Sequence, residues 1–169
     1  MLKIEELNRS HSRNGFDCGV SELNNFLRSL ARQNLKKGLS RTFVLVDNKV
    51  PEEILGFYTL SIFEIIARKL PIKFSKKYKG QLPAVKLARM GVAKMRQKQS
   101  LGKYMLIDAM KRVVTISQNA GIIGFFVDAK NESAGDYYLN FGFISLPDHK
   151  QELFLPLATL YQMYSKVLG

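Results

Sequence analysis

Lys86-Leu87-Ala88-Arg89-Met90-Gly91-Val92 is followed closely by Gln97-Lys98-Gln99-Ser100-Leu101-Gly102-Lys103, and these two runs constrain the architecture more than any other part of the chain. The first run reads as a buried strand. The second is a basic, Gln-rich turn that opens onto a segment placing Leu106, Ala109, Met110 and Val113 on one helical face. A strand that runs through a polar loop into a helix leaves the first N–H groups of that helix without intrahelical partners. With the helix dipole they make a site for a phosphate or pyrophosphate, and Lys98 and Lys103 bring positive charge to it. The other meaning open to this pattern is a polar loop that caps a core helix.

The residues exclude two phosphate loops. A Walker loop ends in Gly-Lys-Ser/Thr, and a dinucleotide fold carries three glycines directly after its strand; neither is present. Downstream lie Val127-Asp128-Ala129-Lys130-Asn131 and then Ala134-Gly135-Asp136-Tyr137-Tyr138-Leu139-Asn140-Phe141-Gly142-Phe143. Gly142 stands where a helix C-cap or tight turn wants a residue free of Cβ. Tyr137 and Tyr138 are adjacent, so on a helix they point about 100° apart. One ring can pack while the other reaches a site.

Gln97-x-x-Ser100-x-Gly102 resembles the Gln/Arg-x-x-Gly-x-Gly/Ala loop of GCN5-related N-acetyltransferases, with Ser100 in place of the middle glycine. The resemblance implies that Met90, Gly91, Val92, Gln97, Lys98, Gln99, Ser100, Leu101, Gly102, Lys103 and Asn131 hold acetyl-CoA. It implies that Tyr138 is the phenol near the coenzyme sulfur and that Tyr137 takes an aromatic packing slot. Further stretches are Phe16-Asp17-Cys18-Gly19, Leu23-Asn24-Asn25-Phe26-Leu27, Ala31-Arg32-Gln33, Ser40-Arg41-Thr42-Phe43-Val44, Gly56-Phe57-Tyr58-Thr59-Leu60-Ser61 and Leu153-Phe154-Leu155-Pro156-Leu157. Together they are similar, over nearly the whole chain and in order, to the acetyltransferase toxins of bacterial type II toxin–antitoxin modules. That resemblance implies aminoacyl-tRNA as substrate, a cognate ribbon-helix-helix antitoxin acting with it on operator DNA, and a homodimer.

Composition bounds the rest. At 169 residues the chain suits one domain, taken as 1–169. No apolar run reaches membrane-spanning length, the start has no signal-peptide core, and one cysteine, Cys18, excludes an internal disulfide and fits a reducing cytoplasm. Cys18 reads as a small buried or turn residue rather than a nucleophile. His11 and His149 are too sparse for a metal site, so none is expected. Lys plus Arg number 26 against 14 Asp plus Glu, a net charge of +12, which favours a polyanionic partner. Arg28, Arg32, Lys36, Lys37 and Arg41 form one cluster; Lys69, Lys73, Lys76, Lys77 and Lys79 a second; Lys86, Arg89, Lys94, Arg96, Lys98 and Lys103 a third. The first cluster, with Lys76 and Lys77, is the candidate tRNA surface; a solvated face serving solubility is the alternative.

A coarse pass predicts an α+β domain with no repeats or linker. Ser21 reads as the N-cap of a helix burying Leu23, Phe26, Leu27, Leu30 and Ala31. Strands are predicted at Thr42–Val46, Ile54–Ile62, Ile122–Val127 and Leu153–Leu155, with a turn near Asp47-Asn48-Lys49 and an irregular basic segment from Pro71 to Pro83. This order matches the acetyltransferase fold, a mixed, mostly antiparallel sheet flanked by helices and splayed where acetyl-CoA enters.

Acetyl transfer to an amine needs a backbone N–H aimed at the developing oxyanion, expected from Met90-Gly91-Val92, and an acid for the thiolate, expected from Tyr138. Gly91 is equally readable as a small residue in a crowded sheet. No Glu or His stands out as a general base. A lysine amine of pKa ~10.4 is almost wholly protonated at neutral pH, whereas an α-amine near ~8 is partly neutral, so the chain suits an α-amine. Two rivals remain open: an acetyltransferase for small amines or proteins, and a non-catalytic nucleic-acid-binding module on a decayed acetyltransferase fold. Ser100, and Ala93 where relatives often carry an acid, favour the second rival.

Overall fold

The structure is a computed structural model that describes residues 1–168, with side chains described through Ser165. Seven strands hydrogen-bond in the order β1-β2-β3-β4-β5-β7-β6. They are β1 (Leu2–Glu6), β2 (Arg41–Asp47), β3 (Gly56–Ile66), β4 (Gln81–Val92), β5 (Gly124–Asp128), β6 (Ile144–Leu146) and β7 (His149–Pro156). The pairs β1–β2, β2–β3, β5–β7 and β6–β7 are antiparallel and β4–β5 is parallel, which is the mixed, mostly antiparallel sheet expected. The chain clusters into two compact units, Met1–Ser61 with Ala88–Ala109, and Ile62–Leu87 with the chain from Met110 onward.

The first unit holds β1, β2, the start of β3 and the end of β4. Alternation is lost in β2, whose Thr42–Val46 are all buried, because both faces of this strand are covered. The core is built from Leu7, Phe16, Cys18, Phe26, Leu27, Ala31, Val44, Val46, Ile54 and Phe57. Cys18 is thus a buried core residue. Its helical segment is not one continuous α-helix. A short α1 (Ser21–Asn25) passes into a π-turn over Phe26–Leu30 and then into α2 (Ala31–Lys36). The wider π-turn shifts the following residues around the axis, so Phe26, Leu27 and Ala31 are buried while Leu30 is 46% exposed, against expectation. Ser21 is not the cap either. Val20 holds the N-cap position without a side-chain bond, and Asn24 ties the preceding turn to the helix by accepting the Cys18 N–H and donating to Asp17.

The second unit packs Ile65, Leu70, Ala84, Phe126, Leu146 and Phe154 into its own core. The Phe126 and Phe154 rings are stacked at 4.6 Å across the β5–β7 pair Phe126↔Phe154. Pro71–Pro83 is less irregular than its composition suggests: a single turn, α3 (Ile72–Ser75), follows Pro71, and β4 has begun by Gln81. Three further elements lie outside the sequence reading: the short strands β1 and β6, and α6 (Leu157–Leu168). Parallel pairing of β4 with β5 covers Val85–Leu87 against Phe125–Val127, and β4 continues beyond it through Ala88–Val92.

Candidate active site

In the first unit, β4 leaves the sheet at Val92, turns through a short 3-10 segment Lys94–Arg96, and enters α4 (Leu101–Asn119). The exit is held by backbone: the Ala93 N–H donates to Leu55 O at 2.9 Å and the Lys94 N–H to Asp17 O at 2.9 Å. Gln97 does something its position in the motif did not reveal. Its side-chain amide donates to the carbonyls of Cys18 and Val92, both at 2.9 Å, so it shapes the loop from within. No sequence signal tied the Asp17–Val20 segment to this loop, because the contact joins residues about eighty positions apart.

Lys98 and Ser100 adopt φ of 64° and 61°, the left-handed region that favours glycine. This explains why the family pattern has glycine at the Ser100 position. Backbone that passes through the left-handed region in a loop is the setting in which successive N–H groups form an anion nest. Among the described residues the N–H groups of Lys98 to Lys103 donate to no protein acceptor. The first helical bond of α4 is Tyr104 N–H to Ser100 O, at 3.1 Å. The first turn of α4 carries no acidic residue, and a Cβ built on Gly102 would meet nothing within 4 Å. Lys98, Gln99 and Lys103 are exposed around this cluster, whereas Leu101 is buried and anchors the helix. Free N–H donors, positive charge and an open approach fit the pyrophosphate of a coenzyme. The face of α4 is as expected: Leu106, Ala109, Met110 and Val113 are all buried.

Gly91 sits in tight packing. A Cβ there would lie 3.2 Å from Cys18 Sγ and 3.4 Å from Phe57 Cε1, so the crowded-sheet explanation accounts for the glycine. Gly56 is tighter still, its Cβ position being 2.9 Å from Met105 Cε on α4 and 3.2 Å from Gly91 O. Tyr58, fully buried on β3, donates to Asp108 Oδ2 on α4 at 2.5 Å. These contacts register α4 against β3 and against the Met90-Gly91-Val92 backbone.

The second unit carries α5 (Glu132–Leu139). Asn131 is its N-cap, the side-chain oxygen accepting the Ala134 N–H at 2.8 Å. Gly142, at φ 95°, ends the helix as expected, with its N–H on Leu139 O at 3.0 Å. Tyr138 is half-buried, edge-on to Phe143 at 5.5 Å, while Tyr137 is 39% exposed and packs edge-on to Phe141 and Tyr138. Burial, with the neighbouring Tyr137, pushes the Tyr138 phenol up to about 12, so it keeps its proton throughout the neutral range.

The basic residues separate. Arg28, Lys36 and Lys37 are exposed on the helical segment of the first unit, with Arg32 half-buried among them. Arg41 is engaged by Glu6 at 2.8 Å. Lys76 and Lys77 belong to the second unit and are exposed, Lys77 lying over the Tyr78 ring. Among the described residues no group of His, Cys, Asp and Glu could hold a metal ion, and no helix is long and apolar enough to cross a membrane.

A strand that delivers an anion-binding loop to a helix, followed by a parallel strand and a tyrosine-bearing helix, defines the GCN5-related N-acetyltransferase class. No protein-family model matches the chain. It is similar to KacT, solved as a tyrosine-to-phenylalanine mutant, at 34% identity and a TM-score of 0.88, covering 96% of this chain and 98% of that one. It is similar to AtaT, solved in complex with acetyl-methionyl-tRNAfMet, at 31% identity and a TM-score of 0.89, covering 97% and 99%. Two further structures, AtaTR bound with AcCoA and a KacTA–DNA complex, each match at 31% identity and a TM-score of 0.82. A tRNA-acetylating toxin of Mycobacterium tuberculosis is 28% identical over 83% of this chain and 82% of its own length. The chain belongs to the acetyltransferase toxins of bacterial type II toxin–antitoxin modules.

Proposed function

We propose that this protein transfers the acetyl group of acetyl-CoA to the α-amino group of aminoacyl-tRNA, which removes that tRNA from elongation and arrests translation. The observation that carries the reading is the Lys98–Lys103 loop, with N–H donors that have no acceptor among the described residues and a backbone already bent at Lys98 and Ser100. AtaT bound to acetyl-methionyl-tRNAfMet supports the choice of acceptor.

When bound, the coenzyme supplies an activated acetyl thioester. The chain's own groups would then act as follows. The N–H groups of Lys98 to Lys103, with the Lys98 and Lys103 ammonium groups, hold the pyrophosphate, and Gln97 keeps the loop in shape. A backbone N–H of Met90-Gly91-Val92 receives the charge that develops on the carbonyl oxygen as the N–C bond forms and the C–S bond breaks. Tyr138 presents its hydroxyl proton to the departing sulfur. A phenol pushed up to about 12 stays protonated, so it serves as a hydrogen-bonding acid. Full transfer to a thiolate of pKa about 8.5 would be uphill by roughly 5 kcal/mol, so the sulfur draws its final proton from solvent. The amine sheds its proton to water, for which an α-amine is better matched than a lysine.

Arg28, Arg32, Lys36 and Lys37 guide the acceptor stem, with Arg41, Lys76 and Lys77 contributing at its margins. The same reading includes a cytoplasmic homodimer and a ribbon-helix-helix antitoxin that covers the site and joins in operator repression; the KacTA–DNA complex supports an antitoxin acting on DNA. The test is inducible expression in a bacterium, wild type beside Tyr138→Phe, scored for growth and for acetylated aminoacyl-tRNA. Arrest with an acetyl mark is expected from the wild type, with transfer slowed about 10²–10⁴-fold in the variant. Normal growth with no mark on any charged tRNA would refute the proposal.

A further inference from the structure

In the first unit a guanidinium lies over an aromatic pair beside Gly91. Arg89 Cζ is 4.0 Å from the centroid of the Phe26 ring. Phe26 is stacked on Phe57 at 6.4 Å and 23°, and Phe57 Cε1 is 3.4 Å from the Cβ position of Gly91. Arg89 and Gly91 therefore share one face of β4, separated by two residues, or about 6.5–7 Å along a strand. Phe26 is only 3% exposed, whereas Arg89 above it is exposed.

Several other cations of this unit are engaged within the protein. Arg41 pairs with Glu6 at 2.8 Å, Lys94 with Asp17 at 3.6 Å and Lys3 with Glu5 at 3.2 Å. Arg13 donates to Arg28 O at 2.8 Å. Arg89 has neither a carboxylate nor a carbonyl acceptor among the described residues. The ring covers one side of the guanidinium, and its planar fork of N–H donors is left for a partner outside the described residues. Covering Phe26 would itself need only the apolar stem, worth little more than a lysine or methionine could supply. A planar fork without an acceptor among the described residues is built for an oxyanion, and a phosphodiester is the bidentate match.

We propose that Arg89 binds a backbone phosphate at the 3′ end of the charged tRNA, beside the amine that is acetylated. The proposal rests on the tRNA-acetylation reading above. The phosphate of the terminal nucleotide is one sugar away from the esterified amino acid. An amine presented to the Gly91 backbone thus brings that phosphate within reach of a long side chain two residues back along the same face. Arg89 is a substrate-binding residue for the nucleic-acid part of the acceptor, and the coenzyme phosphates are left to the Lys98–Lys103 loop.

Arg89→Met keeps an unbranched stem over Phe26 and removes the fork; Arg89→Lys keeps the charge and loses the plane. Both are compared with wild type, after thermal unfolding confirms their fold, on charged tRNA, on the methyl ester of the same amino acid, and for the KM of acetyl-CoA. For Arg89→Met the KM for charged tRNA should rise about tenfold or more relative to the change on the ester. The slope of log KM against log salt should fall by about 0.7–1, one phosphate contact, with Arg89→Lys intermediate. Equal losses on tRNA and ester, an unchanged salt slope, or a raised KM for acetyl-CoA would overturn the assignment, the last reassigning Arg89 to the coenzyme. A wild type that acetylates the ester but no charged tRNA would instead sink the parent reading, and the assignment with it.

Discussion

Ser100→Gly tests the loop most directly. Ser100 is exposed, stands at φ 61°, and its carbonyl accepts the first hydrogen bond of α4. An L-residue in the left-handed region costs roughly 1–2 kcal/mol, which glycine does not incur. Glycine also frees the unfolded chain, returning about 0.4–1 kcal/mol of that gain. The net expectation is a stabilisation of about 0.5–1 kcal/mol, or a rise in Tm of about 1–4 °C for a chain of this size. Ser100→Ala keeps the strain and removes only the hydroxyl, so it should not raise Tm. Calorimetric titration with coenzyme A separates the two roles of the side chain. If the hydroxyl donates to a phosphate oxygen, both variants bind more weakly although one of them is more stable. If the side chain crowds the pyrophosphate, glycine alone binds more tightly. A Ser100→Gly protein that melts below wild type would refute the backbone argument.

Two further outcomes follow from the geometry. For transfer to an α-amine, kcat/KM should rise with pH until the amine is neutral, near pH 8, and stay flat through pH 10, because burial favours the neutral Tyr138 phenol and holds it protonated up to about 12; a falling limb centred near pH 10 in a pH–rate profile would contradict this. Gly56→Ala should cost about 1–3 kcal/mol in chemical denaturation and weaken coenzyme binding, since its Cβ meets Met105 and, more stubbornly, the Gly91 carbonyl at 3.2 Å; unchanged stability and affinity would show that α4 is not registered through this contact.

Local pattern and motif spacing carried much of this protein. The 3.6-residue rhythm from Leu106 to Val113 predicted the buried face of α4 without help from the rest of the chain, because helical periodicity is a property of neighbours. The Gln97-x-x-Ser100-x-Gly102 spacing located the loop, and Gly142 located the end of α5, since both depend on backbone conformations that few residues tolerate. The +12 charge pointed to a polyanion. Other features follow only from contacts between distant residues. The π-turn at Phe26–Leu30 rotates Leu30 outward, a registry change that a fixed period cannot anticipate. Gln97 turned inward because the carbonyls of Cys18 and Val92 happen to converge there. Arg41 and Arg89 looked alike as members of basic clusters, yet one meets Glu6 and the other, among the described residues, meets the ring of Phe26. Charge is written in the residue, but whether that charge is neutralised or left for a substrate is settled by which side chains the fold brings within reach.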